Sequence, residues 1–100
     1  MSVYAALAEP HRRQILDLLR AGEMSAGELV DALDLSQPGV SKHLKVLRAA
    51  GLVDVWPRGK QRFYALRPDP LVEVTNWLEP YRMLWSSRLD NLEHYLEENP

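Results

Sequence analysis

The chain is 100 residues long, the length of one domain with a modest core. It holds no cysteine, which excludes disulfides, thiolate metal sites and cysteine redox sensing. Its net charge of −2 is unevenly spread: residues 1–35 carry three Arg against six acids, residues 36–67 seven Lys/Arg against one acid, Asp54, and residues 68–100 two Arg against seven acids. A basic middle between acidic ends steers a polyanion better than the total charge would.

Met1-Ser2-Val3-Tyr4 has no basic region followed by an apolar run, so no signal peptide is expected. No apolar run approaches the about 20 residues that span a bilayer. The expectation is a soluble, cytoplasmic protein with no membrane partner. Val3 to Ala8 reads as a short helix with Val3, Tyr4 and Leu7 as its apolar residues. Glu9-Pro10 punctuates it, and Pro10 suits the first turn of the next helix. That helix carries Ile15, Leu16, Leu18 and Leu19. His11 lies on its apolar side, four before Ile15, where a packing or capping role is expected. Arg12, Arg13 and Arg20 point outward; a solvated face is expected, with Arg12 and Arg13 able to touch phosphates if that helix end faces a duplex.

Ala21-Gly22-Glu23 is a turn. Ser25-x-x-Glu28 is a capping box, with Met24 and Leu29 as its staple. The short helix that follows faces inward with Leu29, Val30 and Leu33. Asp34-Leu35 then makes a tight turn into the stretch with the clearest signals. Ser36 is its N-cap, Leu35 and Val40 form a hydrophobic staple, and Gly51 ends it in a left-handed conformation. Val40, Leu44 and Leu47 share one face. At about 100° per residue, Pro38, Lys42, Lys45 and Ala49 fall opposite, flanked by Gln37 and Ser41. That outer face has amide, hydroxyl and cationic groups and no acid, which suits base edges and phosphates in a major groove. Two short helices joined by a tight turn make a helix-turn-helix over about 25–51.

After Gly51 the period changes to 2. Val53 and Val55 alternate with Asp54 and Trp56, and Arg62, Tyr64 and Leu66 alternate with Phe63 and Ala65. Pro57-Arg58-Gly59-Lys60 is turn chemistry. The pattern predicts a β-hairpin, or wing, over about 53–67 with a basic tip, and places Pro57 at an edge or end. Pro68-Asp69-Pro70 starts a helix over about 69–97, with Asp69 as N-cap and Pro70 first. Leu71, Val74, Trp77 and Leu78 are periodic, and Pro80 predicts a kink or break near Glu79. Beyond it Tyr81, Leu84, Trp85, Leu89, Leu92, Tyr95 and Leu96 form a wide apolar stripe. Trp85, Leu89, Leu92 and Leu96 are spaced 4-3-4, the coiled-coil interval. Such a helix is too apolar for a solvated tail: it either packs on its own domain or binds a second copy, and its aromatic content fits a dimer interface. The fold class expected is mostly α with a small β-hairpin: a single winged helix-turn-helix domain over 1–100 with a long C-terminal dimerisation helix.

These segments together resemble the ArsR family of winged-helix bacterial repressors over nearly the whole chain. A-L-A-E-P-H-R-R-Q-I-L is similar to the family's first core helix, L-S-Q-P-G-V-S-K-H-L-K-V-L-R-A-A-G-L-V to its recognition-helix segment, and R-G-K-Q-R-F-Y-A-L to its wing. The resemblance implies a homodimer that binds a palindromic operator on double-stranded DNA and represses transcription. It implies Gln37, Ser41, Lys42, His43 and Lys45 as recognition-helix residues and Arg58, Lys60 and Arg62 as wing residues. The expected dimer interface is Tyr4, Trp77, Tyr81, Trp85, Leu89, Leu92 and Leu96. Many relatives sense metals through a Cys-x-Cys pair in the recognition region or through His and carboxylate sets on the last helix. Here the recognition region has no cysteine, and the last helix offers only Asp90, His94 and Glu97 or Glu98. No metal ligands and no cofactor are therefore assigned, and the inducer is left open.

Two other functions make different demands on the sequence. A winged helix used only to bind protein would carry exposed apolar anchors on the recognition face, and a metal-responsive repressor would need the ligands just described. Catalysis is not expected: the chain has no Cys nucleophile, no Gly-rich phosphate loop, and no His grouped with a plausible Ser and Asp.

Overall fold

The computed structural model describes residues 2–98, apart from the side chains of residues 93–95 and 98. The elements run α1 (Val3–Leu7), α2 (Pro10–Leu19), β1 (Met24–Ser25), α3 (Ala26–Leu33), α4 (Gln37–Ala49), β2 (Val53–Arg58), β3 (Gln61–Leu66) and α5 (Leu71–Glu98). The chain is mostly helical with a small antiparallel sheet, as expected.

The core is where α2, α3 and α4 meet the start of the wing. Ile15, Leu16 and Leu19 from α2, Leu29 from α3, and Val40, Leu44 and Leu47 from α4 are buried together with Leu52 and Val53. Val3 and Ala6 bring α1 into the same cluster. Both caps of the helix-turn-helix form as their sequences specify. Ser25 Oγ accepts from the Glu28 amide while Glu28 Oε1 accepts from the Ser25 amide, both at 3.1 Å. Ser36 Oγ accepts from the Gly39 amide at 3.1 Å. Between them, Asp34 adopts φ 54°, a left-handed conformation that Asp tolerates better than most residues. At the far end of α4, Gly51 has φ 77°. There the Leu52 amide donates to Leu47 and the Gly51 amide to Arg48, each at 3.0 Å, closing the helix with a Schellman motif.

Three features depart from the sequence reading. The sheet has three strands in the order β1-β3-β2, because Met24 and Ser25 pair with Tyr64 and Phe63. Met24 thus extends the hairpin, where only a staple was expected. Pro57 sits on β2, which is an edge strand, so its missing N–H removes no ladder bond from a neighbour on that side. Secondly, α5 continues through Pro80 without a break. The carbonyl that Pro80 cannot bond, four residues back on Asn76, lies on an exposed stretch where water can satisfy it. The helix also begins at Leu71, one residue later than expected, with Asp69 and Pro70 in the preceding turn. Thirdly, Arg12 and Arg13 do not stand free in solvent. Arg12 donates from Nε to Ala6 O at 2.7 Å and from a terminal nitrogen to Ala5 O at 3.0 Å. Arg13 donates to Leu7 O at 2.7 Å. These guanidinium groups cap the last carbonyls of α1, which a five-residue helix cannot satisfy itself.

The first part of α5 packs on the body through Leu71 and Val74. The rest projects: the molecule measures 63 × 27 × 20 Å with a radius of gyration of 18.3 Å, against about 13 Å for a compact chain of this length.

Candidate nucleic-acid interface

The N-cap at Ser36 and the Schellman stop at Gly51 fix the length of α4, and the buried Val40-Leu44-Leu47 face fixes its rotation. Gln37, Pro38, Ser41, Lys42, Lys45 and Ala49 are all exposed on the remaining surface. The wing folds back beside them. Gly59 supplies the positive φ of 66° for a two-residue turn, leaving Lys60 at the tip and Arg62 exposed on β3. Gln37 and Ser41 of α4 and Lys60, Gln61 and Arg62 of the wing line one cleft, closed at its back by Ser25 to Gly27 and Tyr64. Residues from two separate sequence segments therefore converge on one polar surface.

Arg58 stands on the wing as expected but also makes contacts with the body, and His43 is placed differently from expectation. Arg58 lies 4.6 Å above the Phe63 ring, and its guanidinium meets Glu23 at 2.8 Å. It fastens the hairpin to the turn before β1. His43 does not share the outer face with Lys42 and Lys45. Its side chain is only 19% exposed, and it stacks on His11 with ring centroids 5.7 Å apart. At about 100° per residue, position 43 falls nearer the Val40-Leu44-Leu47 face, and this periodicity outweighs the motif that grouped it with the reading residues. His11 joins the same cluster, bonding through Nδ1 to Glu9 Oε1 at 2.9 Å. Glu9 also accepts from the Arg12 amide at 3.1 Å. Burial works against its charge, but the His11 and Arg12 hydrogen bonds outweigh it and hold its carboxyl below the usual range.

Sequence reasoning missed Gln61 and Arg48. Gln61, the first residue of β3, lines the cleft. Arg48 reaches the outer side of the wing, beside Val55, Trp56, Pro57 and Arg62. Its exposure at the last turn of α4 was the available signal.

At the other end of the molecule, Tyr4, Trp77 and Tyr81 form an aromatic run. Tyr4 meets Trp77 edge to face at 6.2 Å and Trp77 meets Tyr81 at 5.1 Å, while the Tyr4 hydroxyl donates to Glu73 O at 3.3 Å. Trp85, Leu89, Leu92 and Leu96 stand exposed further along α5. The side chain of His94, named with Asp90 above, and that of Tyr95 in the stripe lie outside the described residues.

A helix-turn-helix domain model matches residues 7–55, which span α2 to the start of the wing. The transcriptional repressor SdpR of Bacillus subtilis is 35% identical over 77 residues, 77% of this chain and 86% of that protein. The HTH-type transcriptional regulator Rv2034 of Mycobacterium tuberculosis is 41% identical over 78 residues, 78% of this chain and 73% of that protein. A solved ArsR family transcriptional regulator superposes with a TM-score of 0.72 at 32% identity, covering 84% of this chain and 87% of that one. The chain belongs to the ArsR family. It is a winged helix-turn-helix protein of DNA-binding transcription regulation, and the family is not enzymatic. No helix among the described residues is long and apolar enough to cross a membrane.

Proposed function

We propose that the protein is a homodimeric transcriptional repressor that binds a palindromic operator. The observation that carries this reading is the shared cleft of Gln37, Ser41, Lys60, Gln61 and Arg62, beside a helix face with two lysines and no acid. In this reading α4 enters the major groove. Gln37 and Ser41 meet base edges, since an amide and a hydroxyl both donate and accept there. Lys42 and Lys45 meet phosphates, and Lys60 and Arg62 follow the backbone beside the groove. Arg58 serves first as the wing's fastening.

The second copy enters through α5. Leu71 and Val74 cover the body on one face of this helix, half-buried Leu78 follows, and Tyr81, Trp85, Leu89, Leu92 and Leu96 continue the same face beyond it, exposed. A two-fold pairing of these stripes buries them and sets two recognition helices toward successive major grooves, about 34–36 Å apart. The acids of residues 68–100 then lie away from the phosphates.

Selection of bound duplexes from a random pool tests the reading as a whole. The expected product is a two-fold symmetric sequence with half-sites about one helical turn apart. Enrichment of an asymmetric single site, or no enrichment, would overturn it.

A further inference from the structure

Glu9, His11 and His43 form the one cluster among the described residues with the ligand types of a metal site. We propose that these three side chains bind a divalent transition-metal cation of the zinc class, joining the start of α2 to the recognition helix.

The geometry carries this first. One ligand atom from each residue lies within 4.8 Å of the others. His11 Nδ1 is 2.9 Å from Glu9 Oε1, and His43 Nε2 is 3.8 Å from Glu9 Oε2. Donors about 2.0–2.1 Å from a tetrahedral zinc lie about 3.3–3.4 Å apart, so these two spacings bracket the required value. Two imidazoles and one carboxylate suit zinc, cobalt and nickel, and are a poor set for magnesium or calcium. His11 is 44% exposed, so water can reach the cluster to fill a fourth position.

The second observation is the state of His43. Its Nδ1 is buried without a hydrogen-bond partner, and its Nε2 is too far from Glu9 for a hydrogen bond. Nε2, which faces Glu9 Oε2 at 3.8 Å with no hydrogen bond between them, is thus available as a ligand atom. A cation at Nε2 would bridge the gap to Glu9 and leave Nδ1 as it is. The ligands also sit on rigid elements. Glu9 is the N-cap of α2 and is oriented by the Arg12 amide, the kind of outer-shell support that ligating carboxylates carry. His43 stands in the middle of α4. The site differs from both arrangements described for metal-sensing relatives, because it uses neither a cysteine pair nor the last helix.

Cobalt(II) titration of the full chain, stripped with chelator, tests the proposal, since tetrahedral cobalt absorbs strongly in the visible. One cobalt per chain is expected, displaced by zinc. The chain has three histidines, His11, His43 and His94. His94→Gln should titrate like the parent. His11→Gln and His43→Gln should each weaken binding by roughly tenfold or more. His11 is outside the core, so its variant keeps the fold and reports even if His43→Gln does not. A weak octahedral spectrum in the parent, unchanged binding in His11→Gln, or loss of binding in His94→Gln would overturn the site. None of these readouts involves DNA, so the result stands apart from the operator reading.

Discussion

Replacing Trp85 and Leu92 by alanine should convert the protein to monomer while leaving its fold intact. Trp85 is 55% exposed; for a ring that buries up to about 250 Å², this is about 140 Å² left to cover. At about 25 cal/mol per Å², covering it is worth about 3 kcal/mol. Leu92, 53% exposed, adds about 1 kcal/mol, near half of the about 1.5–3 kcal/mol for a fully buried leucine. Two-fold symmetry counts each change twice. Taking half of the total of about 8 kcal/mol, because alanine keeps some area and covering is incomplete, dimerisation should weaken by about 4 kcal/mol, roughly 10³-fold. Neither side chain belongs to the core cluster, so circular dichroism and urea unfolding of the monomer should not change. Sedimentation of parent and variant over a micromolar concentration series is the assay. Operator affinity should fall far more than affinity for random duplex, because only the palindrome uses both copies. A parent that sediments as monomer while binding a palindrome tightly, or a variant that dimerises like the parent, would refute the reasoning.

Three further outcomes are expected. Lys42→Ala and Lys45→Ala should each weaken binding to any duplex and lower the salt slope by about 1, whereas Gln37→Ala and Ser41→Ala should alter sequence preference; four variants that bind like the parent in a fluorescence-anisotropy salt series would remove α4 as the reader. Lys60→Glu with Arg62→Glu should abolish DNA binding and leave the dimer intact, checked by the same anisotropy and by sedimentation; loss of the dimer would place the hairpin in the interface. Arg12→Ala should destabilise the fold by about 1–3 kcal/mol in urea unfolding, since hydrogen bonds to charged donors contribute on that scale, and an unchanged midpoint would show that α1 is held without its guanidinium cap.

The helix-turn-helix was legible because its determinants are local. Ser25, Glu28, Ser36 and Gly51 each act within five residues, and the 4-3 spacing of Val40, Leu44 and Leu47 names the buried face without reference to the rest of the chain. What stayed hidden is non-local. The pairing of Met24 with Tyr64 joins residues 40 apart, and a two-residue strand has no alternation to detect. Arg12 and Arg13 read as solvated because nothing local shows that the carbonyls of α1 turn back toward them. Pro80 was read from backbone chemistry alone, yet the cost of a proline depends on whether solvent can satisfy the carbonyl it abandons. The site was legible in composition more than in arrangement. The cationic outer face of α4 and the basic tip were plain, but the grouping of His43 with Glu9 and His11 needed the packing of α2 against α4.

The wing shows how attachment and contact divide among neighbouring cations. A two-stranded hairpin alone is marginal in water, and a floppy one would lose ordering entropy at each DNA encounter. Here β1 adds a third strand, and Arg58 crosses Phe63 to reach Glu23. The Arg58–Glu23 pair is largely exposed, so its charge attraction contributes at most about 1 kcal/mol. Its value lies in geometry: with Arg58 held against the body, Lys60 and Arg62 are presented at fixed positions beside Gln37 and Ser41. If a phosphate came near Arg58, it would have to displace Glu23 first, leaving that acid facing the DNA. Contact through Lys60 and Arg62 carries no such cost. Charge reversal at Arg58 is therefore expected to disturb the wing's attachment before it tests any contact with DNA.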